Sequence, residues 1–146
     1  MNKYSRRFFA ALAVTALSAF FAPSIALAQA TPAMSKVVMQ VSDNDYNKWT
    51  LALGNAKNVQ ADLGADNVDI EIVVYGPAIG MLKSDSPVDK RVAEAMKAGV
   101  KIVACQNTMK GQKLTPADML PGIGYVPAGV VELIQKQQQG YAYVRP

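Results

Sequence analysis

The segment Val68–Tyr75, VDIEIVVY, alternates at first and then runs continuously apolar. A strand that ends this way has no polar face to turn to water, so both of its sides must be covered, as in the middle of a parallel sheet. Parallel neighbours need long crossovers, usually helices, and the chain supplies them in alternation. Lys36–Ser42 (KVVMQVS) reads as a first strand, Val100–Ala104 (VKIVA) as a third, Ile123–Val126 as a fourth and Tyr141–Val144 as a fifth. The spacing predicts a long helix over Tyr46–Leu63, with Trp49, Leu51, Leu53, Ala56, Val59 and Leu63 among its apolar positions and Gly64 as its stop. A second runs from Pro87 to Ala98. The last spans Pro127–Gln138, with Val130, Val131, Leu133 and Ile134 facing inward. Ile79–Leu82 reads as a short apolar turn, Cys105–Thr108 can open a short helix, and Thr115–Asp118 carries a capped helix start. Strands alternating with helices give an α/β chain, a three-layer α/β/α sandwich on a mostly parallel sheet of about five strands.

Residues 1–28 stand outside that fold. Lys3, Arg6 and Arg7 precede an apolar run from Phe8 to Phe21 and a small-residue end, Ala26-Leu27-Ala28, the three regions of a secretory signal cleaved near Ala28-Gln29. Its 14 residues fall short of the roughly 20 that a membrane span needs. Ser5-Arg6-Arg7-Phe8-Phe9 resembles the twin-arginine export signature; the alternative is an ordinary secretory signal carrying two arginines. Either route makes the protein periplasmic, with one domain over residues 29–146. Removing the signal also removes the apparent basicity, since the remaining chain holds 12 basic against 11 acidic residues. Neither nucleic-acid binding nor attachment to an anionic membrane is expected of it.

The chain has no histidine. That excludes histidine-assisted nucleophiles, histidine acid–base catalysis and the commonest metal ligand. Met34, Met39, Met81, Met96, Met109 and Met119 are scattered, which favours core filling over soft-metal binding. The turn after the first strand, Ser42-Asp43-Asn44-Asp45, lacks the glycines of a dinucleotide cradle. Neither a metal nor a cofactor is expected.

Chemistry in an open parallel sheet collects at the carboxyl ends of the strands. Three segments lie there: Ser42–Tyr46, Tyr75–Pro77 and Cys105–Thr108. Cys105, the single cysteine, ends the third strand where a helix begins. Exposed amides at a helix start favour the thiolate, which is a nucleophile without help from histidine. The other reading of Cys105 is a small buried hydrophobe ending a core strand. Gln106, Asn107 and Thr108, with Asp43, Asn44, Gly76 and Pro77 from the neighbouring strand ends, are placed to support it. Asp43, Asn44 and Asp45 also suit a helix cap.

Four stretches together resemble the DsrE/DsrF-like family: Leu53-Gly54-Asn55-Ala56-Lys57-Asn58, Ile70–Pro77 (IEIVVYGP), Ala104-Cys105-Gln106-Asn107-Thr108-Met109 and Pro127–Leu133 (PAGVVEL). The resemblance implies a small α/β/α subunit assembling as a homo-oligomer, a trimer or hexamer, and a cysteine at position 105 that carries sulfane sulfur as a persulfide. It further implies a sulfur donor or acceptor protein as partner. The export signal sets this chain apart from relay members, which work in the cytoplasm. Two other functions remain compatible with the residues: an oligomeric binding or assembly subunit in which Cys105 is structural, and a thiol redox sensor.

Overall fold

A computed structural model describes residues 34–146; the segment read above as an export signal lies outside the described residues. Five strands form one sheet in the order β4-β3-β2-β1-β5, and every pair is parallel. They are β1 (Ser35–Val41), β2 (Val68–Val74), β3 (Lys101–Cys105), β4 (Gly124–Val126) and β5 (Ala142–Val144). The helices are α1 (Tyr46–Leu63), α2 (Asp89–Lys97), α3 (Gln106–Gly111) and α4 (Gly129–Gln138). The expected turn after β2 is a longer 3₁₀ run, Gly76–Leu82, and Thr115 and Asp118 form a reciprocal cap on a single 3₁₀ turn.

The register divides the side chains between two faces. On the first, Met39, Ile70, Ile72 and Ile102 pack under Trp49, Ala52, Leu53 and Ala56 of α1, spaced as one helical stripe, and under Val92 of α2. The second face carries Val38, Val73, Val103 and Val126, which join Leu133 of α4 and Tyr141. Each step from β1 to β4 moves one strand along the sheet, whereas α4 must return the chain across the second face to reach β5 beside β1. Helices therefore cover both faces, as the apolar run in β2 requires, but one of the faces has α4 alone.

That asymmetry corrects the expected interior of α4. Val130, Val131 and Ile134 are about half exposed, while Gly129 and Leu133 are buried. A helix laid on a sheet without a further layer outside it can bury only one stripe. Leu51 and Leu63 of α1 are exposed for the same reason. The second helix also starts later than expected, because Pro87 precedes Val88, the residue that caps α2.

α4 is tied down by charge. Glu71 of β2 is buried on the second face, and its Oε2 lies 2.6 Å from Lys136 Nζ. Glu132, one turn earlier on α4, stands 3.7 Å from the same ammonium. Burial raises the Glu71 pKa; Lys136 opposes this, Glu132 adds to it, and the net displacement is upward. The Glu71 Oε1 atom has no hydrogen-bond partner. A carboxyl group whose folded pKa is raised stabilises the fold fully in acid and loses that contribution as the pH rises through the folded value. Lys136→Met should then cost about 3 kcal/mol or more in alkaline buffer, where a lone carboxylate would be enclosed. In mildly acid buffer the cost should shrink, because Glu71 takes up a proton. Urea denaturation at both pH values measures this, and an equal cost at each would exclude the charge as the cause.

Candidate functional site

Cys105 is the last residue of β3 and the cap of α3, with extended backbone. Alternation along β3 puts its side chain on the second face with Val103. There it meets α4, because β4 lies against β3 and only Pro127 and Ala128 separate Val126 from α4. The starts of two helices thus converge on one sulfur.

Four donors surround it: the Thr108 hydroxyl and the backbone N–H groups of Gly129, Thr108 and Asn107. The Asn107 N–H is also taken by the Pro127 carbonyl at 3.1 Å, so the Thr108 and Gly129 amides carry more of the load. Thr108 is oriented by a neighbour. Its Oγ1 accepts the Gly76 N–H at 2.9 Å, which leaves the hydroxyl hydrogen free to point at sulfur. Burial is the largest single influence on the thiol and disfavours its charged form; the donors together outweigh burial and hold the pKa below the ordinary thiol value. The group remains only 5% exposed, so the cradle is enclosed as well as polar. Such a site can stabilise a thiolate, or the anionic end of a sulfur chain attached to it, without any cationic side chain.

Gly129 brings the second amide into place. A Cβ at this position would stand 2.9 Å from Tyr75 Cβ and 3.0 Å from its Cδ1, distances that side chains do not tolerate. The first turn of α4 can therefore lie against the Tyr75 ring and over the sulfur only as glycine. Gly76 adopts a left-handed φ of 57°, a conformation suited to glycine, and its amide thereby reaches Thr108.

The remaining expected residues fall elsewhere. Asp43 pairs with Lys48 at 2.9 Å and with Arg145 at 3.5 Å, and its carbonyl accepts the Trp49 indole N–H. Asp45 caps α1 by accepting the Asn47 and Lys48 amides. Asn44 lies toward Gly80. Pro77 opens the 3₁₀ run. Gln106 and Lys110 border a separate cleft of about 250 Å³ with Met109, Leu114, Pro116 and Tyr125. Sequence reasoning set Tyr75 at a strand end and Gly129 at a helix start but gave neither a part beside Cys105; what it could not show is which strand end that helix start faces.

Thr108→Val and Gly129→Ala should both raise the thiol pKa, the first by deleting the hydroxyl and the second by lifting the α4 amide away. Gly129→Ala should in addition destabilise the fold by roughly 1–3 kcal/mol through overpacking. Titration by thiolate absorbance gives the midpoints, and unchanged values in both variants would dismiss the cradle.

The geometry meets its relatives at this point. The family model described as the DsrE/DsrF-like family matches residues 26–146. No curated protein matches the chain. Among solved structures, a protein of unknown function from Methanobacterium thermoautotrophicum, MTH1491, is 33% identical, with a TM-score of 0.73 over 77% of this chain and 99% of that one. The YchN protein of E. coli is 16% identical, with a TM-score of 0.64 over 77% of this chain and all of its own. A conserved protein of unknown function from Bacteroides thetaiotaomicron, BT1422, is 15% identical, with a TM-score of 0.63 over 77% of this chain and 95% of that one. The last two likenesses speak for the fold. With the whole described chain matched by the family model, this protein belongs to the DsrE/DsrF-like family.

Proposed function

We propose that the protein is an exported sulfur carrier that holds sulfane sulfur as a persulfide on Cys105. The observation that carries this reading is the cradle itself: a hydroxyl and helix-start amides favour the thiolate despite its burial. The step needs little else. The thiolate attacks the outer sulfur of a polysulfide or persulfide donor, a new S–S bond forms as the donor's S–S bond breaks, and the electron pair leaves on the donor sulfur, which takes a proton from water. An acceptor thiolate then attacks the outer sulfur of the Cys105 persulfide and returns Cys105 to thiolate. No net oxidation occurs and no cofactor takes part. The narrow access to a sulfur only 5% exposed favours a thin inorganic chain as donor.

The exposed stripe of Val130, Val131 and Ile134 on α4 supports a second element of the reading, assembly as a homo-oligomer. The amino-terminal segment supports the third, export to the periplasm with cleavage near Gln29.

Intact-mass analysis of protein recovered from the periplasmic fraction tests address and chemistry together. The chain should begin at or near Gln29 and should gain the mass of one sulfur atom on treatment with polysulfide; Cys105→Ser should gain none. A wild type that stays unmodified would reject the carrier reading, and an uncleaved amino end would reject export. Sedimentation should show an assembly larger than one chain that Ile134→Glu breaks up; a wild-type monomer would rule the assembly out.

A further inference from the structure

On the first face of the sheet, away from Cys105, α1 and α2 border a cavity of about 280 Å³. Its floor is Leu53, Ala95 and Val100, and its rim holds Lys57, Gln60, Arg91 and Glu94. Gln60 closes one end by donating to the Ala98 carbonyl at 2.7 Å.

Gly54 lies in the wall, midway along α1. A glycine inside a helix costs about 1 kcal/mol relative to alanine. Nothing in the fold calls for it: the backbone there is regular helix, and a Cβ would meet no atom within 4 Å. The space that the missing side chain leaves belongs to the cavity. Lys57, one turn further along α1, and Arg91, across the gap on α2, form no ion pair among the described residues. Against them stands the single carboxylate of Glu94, so the rim carries one net positive charge. The floor is aliphatic, with neither an aromatic ring for stacking nor a hydroxyl for a sugar. At the small end of the range for organic ligands, the cavity suits a short alkyl chain ending in a negative charge.

We propose that this cavity is a binding site for a medium-length alkyl carboxylate, its chain against Leu53, Ala95 and Val100 beside Gly54 and its carboxylate between Lys57 and Arg91. The site lies on the opposite face from the thiol and stands or falls independently of sulfur transfer. Octanoate, octylammonium, octanol and acetate, each titrated below any micelle threshold and followed by amide chemical shifts, provide the test. Octanoate should shift the amides of Gly54, Lys57 and Ala95. Octylammonium and acetate should not, and octanol should bind more weakly. Arg91→Ala should weaken octanoate by roughly tenfold, the loss of one charge-assisted contact, and leave octanol unchanged. Gly54→Leu fills the cavity from an open helical position, so it should keep or raise the melting temperature while removing binding. Octanoate binding that survives in Gly54→Leu, or that the ammonium matches, would overturn the proposal, as would the absence of shifts at these amides.

Discussion

The ion pair between Lys136 and Glu71 fixes how the second face of the sheet is closed. β2 is buried along nearly its whole length, and Glu71 sits within it as the one buried carboxylate. A buried carboxylate needs a cation or a proton, and among the described residues α4 is the only helix crossing that face. Lys136 therefore has to be on α4, in the stripe that faces the sheet. Gly129, Leu133 and Lys136 are spaced by four and three residues, so one stripe presents a close-packing glycine, an apolar anchor and an ammonium. With Lys136 docked on β2, the start of α4 lies about 10 Å away along the helix axis, at the carboxyl end of β3. Charge at one end of the helix thus determines where its free amides point at the other.

Those amides take the place that histidine fills in many thiol sites. A histidine lowers a cysteine pKa by sharing or accepting its proton and becoming a cation. Helix-start N–H groups offer fixed dipoles, which neither titrate nor leave. The cost is that they must be held near an enclosed sulfur, where burial works against the charge they stabilise. At Cys105 the balance falls on the side of the donors because several converge and because Gly76 turns the Thr108 hydroxyl toward the sulfur. A chain without histidine can therefore hold a thiol pKa below its ordinary value where two helices begin at the same strand end.

Much of this was legible in the sequence. The apolar run of β2 announced a covered strand, the alternation of elements announced parallel pairing, and the sequence put Cys105 at the junction of strand and helix where the structure has it. The errors share a cause. Val130, Val131 and Ile134 satisfy a helical apolar pattern as well as Leu133 does, and periodicity does not say which stripe meets the sheet when only one can. That choice is made by Glu71, 65 positions before Lys136, through a contact that no local pattern encodes. Gly129 was hidden for the same reason, since the atom that forbids a side chain there is on Tyr75. Asp43 was left with two readings because a carboxylate at a strand end serves a lysine and an arginine, as it does here, as readily as a reaction.

The outer stripe of α4 would link this arrangement to the proposed assembly. Val130 directly follows the residue whose amide faces the thiol, so a neighbouring subunit laid on the stripe would remove water from the border of the cradle. Desolvation alone would raise the thiol pKa. The amides and the hydroxyl are already oriented, however, and fixed dipoles act more strongly as the local dielectric falls. Which effect prevails depends on whether any donor loses its geometry, and here none is free to do so: Tyr75 packs on Gly129, Gly76 holds Thr108, and Lys136 pins the helix. A subunit laid across α4 would enclose the sulfur further while its donors stay in place, so the pull of burial toward the neutral thiol would still be opposed by dipoles that keep their geometry.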